Sequence, residues 1–267
     1  MACRVAAEAS SSVVIISGRT KPKNIPHANM EFRPLEATSM RQIKQYTDTF
    51  KSVSGQKLDL LIMTQGILTM AGRTETPEGI DRKMALHYYG KQLLIRELLP
   101  TMTEDAKVII VLDGVYGNPT KLDWEDLDLK KHFSLAKAAN HCIVMNDAMV
   151  QFHAAQQQRE GTNNRHFVHA CPGAVSSSLD RELPWYLRLV ARAAVNVVGV
   201  SPDTCAEYLL NGASECAMAG KAEDRFWSNI DNKGHLVAKK AIWSEEQMNK
   251  IANHTWEVVG GALSAVQ

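Results

Sequence analysis

The sequence predicts an α/β fold in which helices cover both faces of a parallel β-sheet. Short apolar runs alternate along the chain with longer segments that have the periodicity of helices. This alternation is typical of strand–helix–strand units, whose parallel strands are buried on both sides. With 267 residues, 45% of them hydrophobic, the chain can form one domain with a substantial core, and we expect a single domain over residues 1–267.

Six apolar runs are predicted strands, and six periodic segments are predicted helices. The strands are expected at Ser12 to Ser17, Met30 to Leu35, Leu58 to Met63, Lys107 to Leu112, Arg165 to His169 and Arg225 to Ser228. The helices are expected at Ser39 to Val53, Pro77 to Leu99, Lys131 to Gln158, Pro184 to Val198, Pro202 to Asn211 and Ser244 to Gly260. Several of these helices begin with a capping Asp, Ser or Thr or with an early proline.

Composition favours a small-molecule partner. Thirty basic and twenty-nine acidic residues give a net charge of +1, so no overall field attracts nucleic acid or an anionic membrane. The five cysteines form no C-x-x-C pair, which is typical of reduced thiols in a cytoplasmic protein and predicts no metal site. No apolar run is long enough for a membrane span, and Met1 to Ala9 is too short and mixed for a signal peptide.

Five motifs follow one another along almost the whole chain. They are Leu58 to Gly66 (LDLLIMTQG), Met84 to Pro100 (MALHYYGKQLLIRELLP), Val108 to Gly114 (VIIVLDG), Phe133 to Asn140 and His169 to Ser177 (HACPGAVSS). In this order the motifs resemble the short-chain dehydrogenase/reductase family. The overall character of the sequence is similar to that of fungal members that act in secondary metabolism. The resemblance implies a Rossmann-like, doubly wound parallel sheet and, in ordinary members, reduction of a carbonyl with a nicotinamide cofactor.

The resemblance also locates four catalytic positions, of which only the lysine is retained. Lys137 matches the lysine of the family's Tyr-x-x-x-Lys motif, but Phe133 stands at the tyrosine, Asp113 at the serine and His87 at the supporting asparagine. The loss of a positioned general acid costs about 10²- to 10⁴-fold in rate. A carboxylate at Asp113 would also oppose the negative charge that develops on a carbonyl oxygen.

The family's dinucleotide anchor has no counterpart in this sequence. Met1 to Val5 resembles the middle of the helix that follows the Gly-rich turn, and no G-x-G-x-x-G occurs in the chain. The first strand and the Gly-rich loop are therefore predicted to be missing, and no cofactor is expected. Arg19 binds a 2′-phosphate only under the alternative that NADP is used, and it is equally well a solvated surface residue.

A missing central strand would leave a gap in the sheet. Adjacent strands lie about 4.8 Å apart, and unpaired backbone groups at such a gap are costly when buried. We therefore expect the sheet to close, either because Val13 to Ser17 moves into the vacant place or because a partner chain fills it.

Each candidate site residue also has a purely structural interpretation. Phe133 can be core packing, Asp113 can cap the turn before Gly114, and His87 can be a hydrogen-bonded core histidine. Lys137, on a mostly buried helix, needs a counter-charge, for which Asp113 is the expected partner. We predict that Lys137, Asp113 and His87 form a catalytic trio in a pocket lined by Phe133, Tyr88, Gln65, Pro172, Trp185 and Tyr186.

The apolar segment after the Pro-Gly turn, residues 183–215, is expected to be a substrate lid or a subunit interface, since the family is often oligomeric. The acidic stretch Asp123 to Asp128 is interpreted as a solvated loop. Our preferred hypothesis is a cofactor-independent cyclase or isomerase, such as a Diels–Alder enzyme, acting on an apolar small molecule. An NADP-dependent carbonyl reductase and a non-catalytic pseudoenzyme remain as alternatives.

Overall fold

The computed structural model describes residues 1–53, 55–161, 164–176 and 181–265. Strands β1 (Val14–Gly18) and β2 (Met30–Pro34) form one parallel pair. The second sheet is also parallel and contains, in spatial order, β3 (Leu58–Met63), β4 (Met102–Val111), β5 (His166–Ala170) and β6 (Trp227–Ile230). The predicted parallel α/β fold is confirmed, and Ser177 of the fifth motif lies outside the described residues.

The helices cover both faces of this sheet. They are α1 (Ala2–Glu8), α2 (Met40–Ser52), α3 (Arg82–Met84), α4 (Gly90–Leu98), α5 (Leu135–Glu160), α6 (Trp185–Val198), α7 (Pro202–Ala222) and α8 (Glu245–Ser264). A π-helical turn, Ala85–Tyr89, joins α3 to α4. Among these described helices, none is long and apolar enough to cross a lipid bilayer.

Two apolar clusters form the core, one on each face of the sheet. The larger contains residues of α2, α4, α5 and α8, and the smaller includes Leu209 of α7. Strands β4 and β5 contribute to both clusters in alternation, because successive side chains of a strand point to opposite faces. Thus Val108 and Phe167 lie in the larger cluster, whereas Ile109 and Val168 lie in the smaller one.

The sheet is interrupted between β1 and β3. Within the described part of the chain, β1 pairs with β2 alone, so the expectation that Val13 to Ser17 closes the sheet is wrong. Asn29 supplies a physical reason, because its side-chain amide donates hydrogen bonds to the carbonyls of Ala6, Ala9 and Ser12 and so fixes β1 beside α1. The residues of β1 are less buried than those of an interior strand. Every residue of β5 is buried, whereas β1 has no fully buried residue. Filling by a partner chain stays a prediction.

Two helix boundaries differ from the prediction for identifiable reasons. Helix α7 continues to Ala222 instead of ending at Asn211, because Gly212 is not a stop signal. A Cβ atom at Gly212 would overlap the backbone of Gly234, so this glycine serves close packing. Helix α5 begins at Leu135 instead of Lys131, with Ser134 as its N-cap.

Candidate active site

The carboxyl ends of the strands gather several of the predicted site residues at one edge of the fold. Arg19 follows β1, Gln65 follows β3, Asp113 follows β4 and Pro172 follows β5. Strands β1 and β2 pair with each other, and the strands from β3 to β6 form the second sheet, so the strand order changes between the two sheets. Ligands of doubly wound folds bind at the carboxyl ends of strands where the order reverses in this way. This edge is therefore the candidate site.

Asp113 stabilises the turn that follows β4. Its Oδ1 accepts hydrogen bonds from the backbone amides of Val115 (3.1 Å) and Tyr116 (3.0 Å). Its own backbone amide donates to His169 Nε2 at 3.3 Å. The structural interpretation of Asp113 as a capping residue is thus borne out, and the carboxylate faces the turn and not Lys137.

Lys137 finds its counter-charge in a different carboxylate. Its Nζ lies 3.2 Å from Oδ2 of Asp123, and the lysine side chain remains 41% exposed. Hydrogen bonds from Lys137 and then from His132 hold the pKa of Asp123 below its ordinary value. The need for a counter-charge was predicted correctly, but the expected partner, Asp113, was wrong.

The acidic stretch Asp123 to Asp128 is more than a solvated loop. The buried carboxylate of Asp126 accepts hydrogen bonds from the backbone amides of Lys130 (2.9 Å), Lys131 (2.9 Å) and His132 (2.7 Å). These three amides therefore do not begin a helix, which explains the late start of α5. Asp123, Asp126 and His132 place possible ligand atoms within 4.8 Å of one another, but these carboxylates already bind Lys137 and the three amides, so we assign no metal here.

Phe133 lies outside helix α5. Its backbone precedes Ser134, which has an extended conformation (φ −146°, ψ 158°) and whose side chain accepts a hydrogen bond from the Lys137 amide. Residues four apart share a face only when both belong to the helix, so Phe133 and Lys137 do not have that relation here. The Phe133 ring instead packs against the core with Lys83 Nζ 5.0 Å from its centroid.

His87 is a neutral, hydrogen-bonded histidine in the π-helical turn. Its Nε2 accepts a hydrogen bond from the Ile67 backbone amide at 2.8 Å, and its carbonyl accepts one from Asn146. Burial, and then the positive charge of Lys91, lower the pKa of His87 to about 4. Among the described residues, the side chains of His87, Asp113 and Lys137 form their hydrogen bonds with Ile67, Val115 and Asp123 and not with one another, so the predicted trio does not form a hydrogen-bonded cluster.

The predicted pocket residues are also dispersed. Tyr88 is fully buried and its hydroxyl shares a 2.6 Å hydrogen bond with Thr255 of α8, so its placement in a substrate pocket is wrong. Trp185 and Tyr186 are exposed on α6. Gln65 is half-buried at the candidate edge, and its side-chain nitrogen has no hydrogen-bond partner among the described residues.

A cleft of about 490 Å³ opens beside Lys137. The loop after β4 and the first turns of α5 line it, with Val115, Tyr116, Gly117, Asn118, Lys121, Ala136, Lys137 and Asn140. Asn140 ties the two walls together, since its side chain accepts from the Asn118 amide at 2.8 Å and donates to the Asn118 carbonyl at 3.1 Å. Tyr116 was missed from the sequence, although a tyrosine between Gly114 and Gly117 directly after a strand is a usable signal of an exposed turn.

A second missed residue is Lys91, which is fully buried in α4. Its Nζ donates to the Val111 carbonyl at 2.8 Å, at the end of β4. Burial lowers the pKa of Lys91 to about 7. The available signal was a lysine one turn after His87 on a helix otherwise rich in apolar residues.

The residues at this edge fit a dinucleotide only in part. Arg19 is exposed at the end of β1, with its Nε 3.8 Å from a carboxylate oxygen of Glu36, and the unpaired nitrogen of Gln65 can donate a hydrogen bond. The pyrophosphate normally rests on a Gly-rich turn and the start of a helix, and the chain contains no G-x-G-x-x-G turn.

Comparisons with known proteins agree with the fold. An oxidoreductase of Emericella nidulans is 36% identical over 126 residues, covering 46% of this chain and 36% of that protein. A short-chain dehydrogenase/reductase of Stachybotrys chartarum is 26% identical over 163 residues, covering 58% of this chain and 44% of that protein. The matched regions thus span less than half of these relatives. No family model matches the chain.

The crystal structure of an NADPH-bound carbonyl reductase from chicken fatty liver has the same fold. Its TM-score is 0.54 at 17% identity, and the superposition covers 85% of this chain and 88% of that one. The protein has a Rossmann-like α/β fold, because its strands are parallel, helices cover both faces of the sheet and the candidate site lies at the strand ends. Together with the sequence relatives, these features make the chain similar to short-chain dehydrogenases/reductases.

Proposed function

We propose that this chain is an enzyme of fungal secondary metabolism that cyclises or isomerises a small molecule without transferring a hydride. The position of Phe133 carries the proposal. Its ring has no hydroxyl, lies before the start of α5 and packs beneath Lys83, while Lys137 is held by Asp123. A carbonyl that accepts a hydride needs a positioned proton donor, and this position supplies none.

The cleft beside Lys137 supports chemistry that needs no redox partner. Lys137 and the Tyr116 hydroxyl can donate hydrogen bonds to a carbonyl oxygen, and Val115 and Ala136 provide apolar wall. A site that holds a near-reactive conformer and polarises a carbonyl lowers the barrier to ring closure or to a double-bond shift. Because the lining is more polar than expected, we propose a substrate with a hydrogen-bond acceptor on an apolar frame. Asp113 acts as a positioning residue through the turn that carries Tyr116.

An oxidoreductase is the second candidate, because the curated relative of Emericella nidulans is named an oxidoreductase and the chicken carbonyl reductase binds NADPH. Under this proposal, Arg19 would contact a 2′-phosphate and Gln65 would donate a hydrogen bond to the cofactor. The ring of Phe133, which has no hydroxyl, weighs against it.

Two measurements on the purified protein separate the candidates. One is a titration with NADPH and NADH, and the other is a turnover assay on polyene and enone substrates without cofactor. We expect turnover without cofactor and no change in nicotinamide fluorescence. Tight NADPH binding with cofactor-dependent turnover would establish the oxidoreductase instead. Neither binding nor turnover would indicate a pseudoenzyme and would overturn the cyclase proposal.

Lys137→Ala tests the assignment of the cleft. It should lower cofactor-free turnover by about 10²-fold or more, since it removes a donor to the developing charge. Lys221→Ala is the matched control, because Lys221 also forms an exposed ion pair, with Asp105 at 2.9 Å, far along α7. Equal activities of the two variants would contradict the role of Lys137.

A further inference from the structure

Helix α6 exposes an apolar face to solvent. Trp185 is 73% exposed and Val190 is 67% exposed, and Tyr186 and Leu189 are exposed as well. The spacing of these four residues places them on one side of the helix. Large aromatic and aliphatic side chains that are grouped and exposed in this way mark an interaction surface.

The loop after β3 extends this apolar surface. An isolated bridge pairs Thr69 with Glu182, just before α6, and Arg82 binds the Glu182 carboxylate through two hydrogen bonds of 2.9 and 2.6 Å. The residues on either side of Thr69, Leu68 and Met70, are exposed. We call Leu68, Met70, Trp185, Tyr186, Leu189 and Val190 the α6 surface.

The charge on α6 is of one sign. The helix contains Arg188 and Arg192 and no acidic residue. Arginine stems lie along apolar surface while their charged ends reach the polar boundary, and tryptophan and tyrosine are enriched at the level of lipid headgroups. Apolar side chains, aromatic residues and basic residues on one helix form the pattern of a helix that lies in a membrane interface.

A second copy of the chain is a poorer occupant of the α6 surface. A two-fold interface brings the same patch of both copies together, so the arginines of one α6 would approach those of the other. An anionic surface instead attracts the positive charge of both arginines, and the Arg188 guanidinium is held near the start of α6 by the carbonyls of Arg181 and Leu183. The near-zero net charge of the chain does not prevent this local attraction.

We propose that the α6 surface docks peripherally onto anionic phospholipid bilayers. The contact is interfacial, with the side chains of the α6 surface inserted among the headgroups and first acyl carbons. None of the residues of this surface lines the cleft beside Lys137, so the proposal goes beyond the proposed reaction and does not depend on it.

Flotation of the full chain with vesicles of phosphatidylcholine, with and without 30% phosphatidylserine, tests this proposal. We expect the protein to float with the anionic vesicles, and binding should fall several-fold when salt rises from about 0.05 to 0.5 M, because screening weakens the arginine contacts. Of the five tryptophans, Trp185 alone is exposed, so its fluorescence should shift to the blue on binding, and Trp185→Phe should abolish the shift.

Leu189→Asp with Val190→Asp should reduce vesicle binding at least about tenfold, because two inserted apolar side chains become charged. Met218→Asp is the matched control, since Met218 is 69% exposed on α7, outside the α6 surface, and should leave binding unchanged. Urea unfolding verifies that the variants fold. The proposal fails if the protein does not float with anionic vesicles, if both variants bind alike, or if sedimentation shows a dimer that the double substitution dissociates.

Discussion

Replacing Lys91 by methionine should stabilise the protein. Lys91 is fully buried, and among the described residues its side chain donates one hydrogen bond, of 2.8 Å, to the Val111 carbonyl. Burial lowers its pKa from 10.5 to about 7, and each pKa unit corresponds to about 1.4 kcal/mol. The ionisation penalty is therefore about 4 kcal/mol at pH 7. Methionine has a similar length without the charge, and the lost hydrogen bond costs about 1 kcal/mol, which leaves a gain of about 3 kcal/mol.

The pH dependence of this gain identifies its cause. Below pH 7, Lys91 is protonated in both the folded and the unfolded chain, so the penalty is fully present. Between pH 7 and 10.5 the unfolded chain binds the proton that the folded chain lacks, so the free energy of unfolding of the wild type rises with pH. The advantage of Lys91→Met should consequently shrink by about 1 kcal/mol per pH unit above pH 7.

Urea denaturation of the wild type and of Lys91→Met at pH 7, 8 and 9 measures this advantage. Lys221→Met serves as the control, because Lys221 is exposed and its replacement should change stability by less than about 1 kcal/mol at each pH. A difference between Lys91→Met and the wild type that is independent of pH, or a variant that is less stable throughout, would refute the reasoning.

Three further predictions concern buried groups near the site. Lys240→Met should cost about 3–5 kcal/mol in urea unfolding, since it leaves the Asp147 carboxylate, 2.6 Å from Lys240 Nζ, buried without its cation. Gly114→Ala should strongly lower the melting temperature in calorimetry, because its Cβ would overlap the His169 carbonyl. Burial lowers the pKa of His153 to about 4, so the free energy of unfolding falls as the pH decreases from about 6.5 towards 4. His153→Phe should make the urea midpoint less dependent on pH in this range. An unchanged slope would contradict the assignment.

The strands were the most predictable part of the fold. Leu58 to Met63 matches β3 residue for residue, because its apolar run, interrupted only by the exposed Asp59, is typical of a parallel strand within a sheet. Boundaries set by tertiary contacts were less predictable. The start of α5 depends on Asp126, a residue several positions upstream that takes three backbone amides, and no local periodicity reports such an arrangement.

The candidate site was predictable in position but not in its contacts. Arg19, Gln65, Asp113 and Pro172 were placed at strand ends by sequence reasoning, and parallel topology brings strand ends to one edge. The partner of Lys137 was not predictable in this way, since Asp123 belongs to a loop whose path is set by its own hydrogen bonds. Sequence reasoning predicts that a buried or half-buried lysine needs a carboxylate partner, but it does not predict which carboxylate that is.

Two features of the structure that bear on the proposed function have independent physical origins. Asn29 holds β1 beside α1 through hydrogen bonds to the carbonyls of Ala6, Ala9 and Ser12, and β1 does not pair with β3. Phe133 lies outside α5 because the helix begins later than predicted. The Asp126 carboxylate accepts a hydrogen bond from the His132 amide, and the Ser134 side chain caps the helix by accepting one from the Lys137 amide. A tyrosine at position 133 would restore the hydroxyl but would not create a helical relation to Lys137. Phe133→Tyr should accordingly give no NADPH-dependent reduction in a spectrophotometric assay, and measurable reduction would show that the site can reassemble around the cofactor.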